Sequence, residues 1–220
     1  TSFPYDLVVR GLHSHSLESM PGIRLGITGG IASGKSTFRN LLLERIPVKS
    51  FDADASVSKL LEENESVKRQ ILADVHPEAY SAKKPNRAFL RDLIFTDPEK
   101  KRILESILHP LVRDHWMKEA KQAAEAGETF VVDIPLLFET GAESHLDRIA
   151  TVGCSIETQL ARLCTRRGIT REISEKIIAS QMPIDVKIPK SHHVIWNDGA
   201  LDALVAQAEL FASYLHDLNG

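Results

Sequence analysis

One run of eight residues constrains this chain more than any other: Gly29-Gly30-Ile31-Ala32-Ser33-Gly34-Lys35-Ser36, continuing into Thr37. It satisfies G-x-x-x-x-G-K-[ST]. Glycines at 29 and 34 permit backbone angles that side chains resist, so the loop can turn successive N–H groups toward an anion. A helix starting behind it adds the positive end of its dipole. Lys35 brings a positive charge for the β- and γ-phosphates, and the Ser36 hydroxyl is a candidate Mg²⁺ ligand. The flanks support the pattern. Ile23 to Thr28 alternates apolar with small or polar residues and reads as a strand. After Lys35, Phe38, Leu41, Leu42 and Ile46 recur at helical spacing until Pro47.

The rest of the chain extends this beginning into an α/β fold. Strands are expected at Val48–Phe51, Thr129–Ile134, Arg148–Val152 and Val194–Trp196, with helical patterns between them and a final helix carrying Leu201, Leu204, Val205, Ala208, Phe211 and Leu215. Strands alternating with helices imply a parallel sheet flanked by helices. The stretch from Ala55 to Gly127 is almost wholly helical in pattern. Asp97-Pro98-Glu99 is a strong helix start, His109-Pro110 reads as a break with a new helix from Pro110 to Ala126, and Gly127 suits a C-terminal cap. The expected organisation is a single domain over 23–220. Its core is 23–54, 127–154 and 190–220, with a helical substrate-binding insert over 55–126 and a helical lid over 155–189. Residues 1–22 read as a polar leader, disordered or vector-derived, with Met20 a sensible native start; His13 and His15 within it read as solvated.

Composition narrows the function. Net charge is −3 and the pI about 6.3, which argues against a broad nucleic-acid-binding face. No apolar run approaches the ~20 residues of a membrane span. Cys154 and Cys164 have neither metal nor redox spacing and read as small fillers in a cytoplasmic protein. No obligatory protein partner is evident.

Acids at the carboxyl ends of strands face the ligand site of such a sheet. Asp52 and Asp54 follow the second strand. Phosphoryl transfer to a hydroxyl needs an acid to accept or orient its proton; Asp54 is favoured, Asp52 second, and one of the two is also expected to cap the next helix. Asp133 ends the third strand and would either hold Mg²⁺ through water or cap the next segment. Glu139 would contribute there or anchor the local turn. Arg162 and Arg166 share a helix face, and with Arg167 they form either a phosphate-neutralising group on the lid or a solvated basic face. Lys68-Arg69 and Lys100-Lys101-Arg102 read as surface runs. The guanine-specific Asn-Lys-x-Asp signature is absent.

Taken in order, Gly26–Ile31 through Lys35-Ser36-Thr37, Asp52-Ala53-Asp54, Leu108-His109-Pro110-Leu111, Asp133-Ile134-Pro135-Leu136-Leu137-Phe138-Glu139, Gln159-Leu160 with Arg162 and Arg166, Gln181, Lys187, and Val194-Ile195 with Asn197 and Gly199 resemble the dephospho-coenzyme A kinases from about Met20 to the end. The resemblance implies a P-loop kinase with a helical substrate-binding part and a mobile lid, using ATP and Mg²⁺ to phosphorylate the ribose 3′-hydroxyl of dephospho-coenzyme A. It implies Asp54 as base, Arg162 on the transferring phosphates and Arg166 in the lid. His109, Pro135 and Leu136 fall on the substrate side, and Asn197 beside the adenine. The residues alone also allow another small-molecule kinase of this core, or a non-catalytic ATP-dependent switch. The sequence departs from the family's usual pattern at Ser191-His192, where Ala-Asp is common, and at Arg167-Gly168.

Overall fold

The computed structural model describes residues 22–168 and 170–219, apart from the side chains of residues 95, 166, 167 and 219. The leader expected over 1–22 therefore lies, except for Gly22, outside the described residues. Five strands form one parallel sheet: β1 (Arg24–Gly29), β2 (Lys49–Asp52), β5 (Phe130–Asp133), β6 (Arg148–Gly153) and β7 (His193–Trp196), in the order β2-β5-β1-β6-β7. The pairing register sets Asp52 beside Asp133 and Ile27 beside Asp133 from the other side. The phosphate loop and the strand-end acids thus leave the sheet at the same end.

Alternation along the strands divides the core in two. Phe130, Val132 and Ile149 join Leu104, Leu108, Val112 and Trp116 on one face. Leu25, Ile27, Val131, Ala150 and Val152 pack on the other against Phe38 and Leu42 of α1 (Lys35–Leu43) and Leu204, Ala208, Phe211 and Leu215 of α9 (Leu201–Asn219). A sheet covered on both faces requires apolar residues at successive positions, and Phe130, Val131 and Val132 are all buried.

The insert holds α2 (Ala53–Glu63), α3 (Glu65–Gln70), a π-helical turn (Ile71–Val75), a hairpin of β3 (Tyr80–Ser81) and β4 (Lys84–Pro85), α4 (Arg87–Thr96) and α5 (Pro98–Glu125). The expected break at His109-Pro110 is absent: α5 runs unbroken through Pro110. Proline deprives the Ser106 carbonyl of its helical N–H and costs about 3 kcal/mol or more. Leu104, Leu108, Val112, Trp116, Ala120 and Ala123 nevertheless form one buried stripe. Burying Leu108 and Val112 on either side of Pro110, at about 1.5–3 kcal/mol each, offsets the local penalty. A cleft of about 660 Å³ opens beside Pro110, between α5 and the π turn, lined also by Gln70, Asp74 and Ile107. Asp97 caps α5 as expected, accepting from the Glu99 and Lys100 amides, and Gly127 takes φ 68°. Among the described residues, no helix is long and apolar enough to cross a membrane.

Beyond β6 come α6 (Ile156–Arg167), α7 (Arg171–Ala179) and the short α8 (Ile184–Lys187). Ser155 caps α6 and Thr170 caps α7. Cys154 is buried, and burial pushes its thiol up to about 11, so it is an unreactive filler at neutral pH.

Candidate active site

The phosphate loop bends into α1 through three residues with positive φ: Gly29 (151°), Ala32 (56°) and Gly34 (94°). At Gly29 and Gly34 close approach adds to the angle requirement. A Cβ on Gly29 would lie 2.0 Å from the Val152 carbonyl oxygen, and one on Gly34 would lie 2.2 Å from Asn197 Nδ2. Ala32 has no such freedom, and its left-handed backbone costs on the order of 1 kcal/mol or more. Its surroundings hold it there. Arg162 Nη1 donates to the Ala32 and Ser33 carbonyls (3.1 and 3.3 Å), and its Nη2 donates to the Asn197 carbonyl at 2.8 Å. Asn197 Nδ2 donates to the Ser33 carbonyl at 2.8 Å. These carbonyls are engaged on the outer side of the loop; of the loop amides, Ile31 donates to Gln181 and Ser33 to the Gly30 carbonyl. No side chain caps the N-terminus of α1, so its first turn keeps donors for an anion.

Across from the loop stand the acids. Asp52 Oδ1 accepts from the Ala55 amide and so caps α2, while its Oδ2 accepts from Arg39 Nη1 at 2.7 Å. Burial pushes the Asp52 carboxyl up, but Arg39 and the Ala55 and Asp54 amides outweigh that and hold it below the usual range. Asp133 is 7% exposed. Burial raises its pKa; Lys35 and Arg39 draw it back, and Asp52 and Asp54 push it further up. Its Oδ2 lies 3.8 Å from Arg39 Nη1, and its buried Oδ1 has no hydrogen-bond partner among the described residues. Asp54, in the first turn of α2, is exposed. These electrostatic contacts gather Lys35, Arg39, Asp52, Asp54 and Asp133 into one cluster.

The matches to known proteins follow this geometry. Residues 23–203 match the dephospho-CoA kinase family. The dephospho-CoA kinase of Listeria monocytogenes serotype 4b is 38% identical over 192 residues, covering 86% of this chain and 96% of that protein. The chain belongs to the dephospho-CoA kinase family. The solved structure of Thermus thermophilus TT1252 superposes with a TM-score of 0.73 at 34% identity, covering 91% of this chain and all of that one. Campylobacter jejuni dephospho-CoA kinase gives a TM-score of 0.60 at 25% identity, covering 88% and 97%.

Within this family framework, the structure brings most of the sequence-selected residues together and leaves some apart. The loop residues 29–37, Arg162 and Asn197 form one hydrogen-bonded unit, with Asp52, Asp54 and Asp133 beside it. Asn197, expected near adenine, has its side-chain amide taken up by the loop. Pro135 is tied in through its carbonyl, which accepts from Thr28 Oγ1 and Lys187 Nζ; Leu136 follows it. His109 is not at a helix entry: it lies exposed in the middle of α5. The Arg166 side chain falls outside the described residues. Ser191 and His192, where the chain departs from the family pattern, are absorbed into the sheet edge. Ser191 bonds Thr151 and the Lys187 carbonyl, and His192 Nδ1 accepts from the Ile149 amide.

Two features escaped the sequence reading. Arg39, one helical turn beyond Lys35, links Asp52 to Asp133; the i, i+4 spacing on α1 was the available signal. Glu139, expected to contribute at the strand end or anchor its local turn, instead reaches a distant segment. Its carboxylate accepts from the Met182 amide and pairs at 2.9 Å with Lys187, whose side chain has no exposed surface. A lysine buried to that degree requires such a partner, and spacing across 48 residues gives no hint of it.

Proposed function

We propose that the protein transfers the γ-phosphoryl group of ATP to the ribose 3′-hydroxyl of dephospho-coenzyme A, in the cytoplasm. The observation carrying this reading is the placement of an anion-binding loop directly beside strand-end acids, within a chain of this family. An anion pocket alone suits a switch protein; an acid cluster coupled to the loop lysine suits transfer to an alcohol.

In the proposed mechanism the loop and α1 N–H groups bind the phosphates of ATP, and Lys35 reaches the β- and γ-oxygens. Arg162 holds the loop and turns toward the transferring group, and Arg166 approaches from the lid. Asp54 accepts or orients the proton of the 3′-hydroxyl. The bond from O3′ to the γ-phosphorus forms as the bond to the β,γ-bridging oxygen breaks, and ADP leaves. The insert over 55–126 receives the coenzyme A moiety, with His109, Pro135 and Leu136 on that side. The lid over 155–189 excludes water, which would otherwise take the phosphoryl group.

The residues fit Mg²⁺. Ser36 and Asp133 offer oxygen donors, which suit a hard cation, and the partnerless buried Asp133 Oδ1 is an available one. Among the described residues no set of three or more His, Cys, Asp or Glu could hold a metal, so ATP oxygens and water would complete the shell. When bound, Mg²⁺ supplies charge neutralisation on the β- and γ-oxygens.

The test is direct. Purified protein, Mg-ATP and dephospho-coenzyme A should yield ADP and coenzyme A, with the new phosphate on O3′. Transfer only to a different acceptor would replace the substrate, and ATP binding without transfer to any acceptor would favour the switch.

A further inference from the structure

The phosphate loop makes a contact that anion binding does not require. Both backbone groups of Ile31, at the tip of the loop, are held by glutamine side chains from distant parts of the chain. Gln159 Nε2 donates to the Ile31 carbonyl at 2.7 Å, and the Ile31 amide donates to Gln181 Oε1 at 2.9 Å. The backbone fixes both orientations, because an N–H only donates and a carbonyl only accepts. Gln159 lies on α6 and is 5% exposed; Gln181 follows α7. The two legs of the α6–α7 hairpin therefore meet at one loop residue.

Gly30 points the same way. The pattern G-x-x-x-x-G-K-[ST] leaves this position free, yet a Cβ on Gly30 would lie 2.4 Å from Gln159 Nε2. A side chain at position 30 would therefore push the Gln159 amide off the loop. Arg162, three residues beyond Gln159, engages the next two carbonyls, of Ala32 and Ser33. The outer side of the loop is thus held along three successive residues by α6.

We propose that Gln159 and Gln181 clamp Ile31 and act as positioning residues, presetting the loop for the triphosphate and fixing the base of the lid hairpin. The functional consequence rests on the kinase reading; the clamp itself does not. Beyond the clamp, Cys164 Sγ sits 3.8 Å from Ser174 Oγ and joins α6 to α7.

The test uses the whole protein without nucleotide, following the Ile31 amide by NMR hydrogen exchange. The amide is expected to be protected in the parent and exposed in Gln181→Met. Gln181→Glu should restore protection, since a carboxylate still accepts the N–H. At position 159 glutamate should weaken ATP binding as methionine does, because a carboxylate cannot donate to the Ile31 carbonyl. Calorimetry should show ATP affinity weakened roughly three- to tenfold in Gln159→Met and Gln181→Met. The double variant should lose less than the product of the two, as expected for groups acting on one residue. Gly30→Ala, which displaces Gln159 without altering it, should weaken ATP binding likewise and serves if a glutamine variant fails to fold. An unprotected parent amide, or protection unchanged in Gln181→Met, would overturn the clamp. Lost protection with unchanged ATP affinity would overturn the positioning role. Both readouts are independent of dephospho-coenzyme A, so they stand whatever the acceptor assay gives.

Discussion

The two sides of the site are built in opposite ways. On the loop side the carbonyls of Ile31, Ala32 and Ser33 are all engaged by side chains, and even a strained alanine is held in place. On the acid side Asp133 keeps a buried oxygen without a partner, and Asp54 stands open to solvent. The difference fits the roles proposed for each side. A loop that binds a polyanion through N–H dipoles works best if those dipoles are set before the ligand arrives. An acid that must meet an incoming hydroxyl, or a cation, is useful only if it is not already taken. A rigid cradle therefore faces an acceptor with capacity left over.

The largest effect should come from removing that capacity. Asp54→Asn keeps the shape and removes the proposed base. It should lower kcat by about 10²-fold or more while leaving ATP affinity near the parent's. Turnover close to the parent's would remove Asp54 from the role, and a parallel loss of ATP binding would show that the two sides are not separable. On the loop side Arg162→Met should, unlike Asp54→Asn, weaken ATP binding as well as turnover. It removes the Arg162 bonds to the Ala32 and Asn197 carbonyls and one of the two bonds to the Ser33 carbonyl, and bonds from a charged group are worth about 1.5–3 kcal/mol each. ATP affinity should fall by roughly 10- to 100-fold. An unchanged affinity would mean that Arg162 does not brace the loop.

Arg39 tests where the boundary lies, because it belongs to the helix of the loop and bonds the acids. Arg39→Met frees Asp52, the cap of the helix that carries Asp54. The Oδ1 cap remains, but the Asp52 carboxylate loses the bond that orients it, so kcat should fall by a few-fold, with ATP affinity little changed. Arg39→Lys should recover part of the loss. A larger effect on ATP affinity than on kcat would place Arg39 with the loop instead.

The same contrast explains what was legible in the sequence. The loop, its strand and its helix are contiguous, and the requirements for glycine, lysine and hydroxyl fall at fixed spacing, so residues 29–37 could be read directly. The acids could be read because strand ends face the ligand side of a parallel sheet. The braces could not. Gln159, Arg162, Gln181 and Asn197 reach the loop across more than 100 residues; helix-face spacing marked Arg162 and resemblance to a family pattern marked the other three, but their contacts are tertiary. The helix through Pro110 escaped because the burial of Leu108 and Val112 outweighs a local rule. The β3–β4 hairpin escaped because Ala82 and Lys83 take positive φ (49° and 67°), where the turn chemistry favours Asn-Gly.

The smallest effect separates the sides by pH. His193 begins β7, the strand that leads into Asn197, and its ring packs against Phe211 and Tyr214. Burial, with help from His192 and Arg148, lowers its pKa from 6.5 to about 4. A histidine depressed on folding takes up its proton more readily in the unfolded chain. Its neutral form therefore costs the fold nothing above pH 6.5, and stability is lost as pH falls from about 6.5 toward 4. At pH 5 the loss should be on the order of 1 kcal/mol, reduced from the full linkage value because the ring is only half buried. His193→Phe keeps an aromatic ring against Phe211 and removes the titration. Its melting temperature should fall less between pH 7.5 and pH 5 than the parent's. Identical falls would show that the loop side, through β7, carries no acid sensitivity of its own.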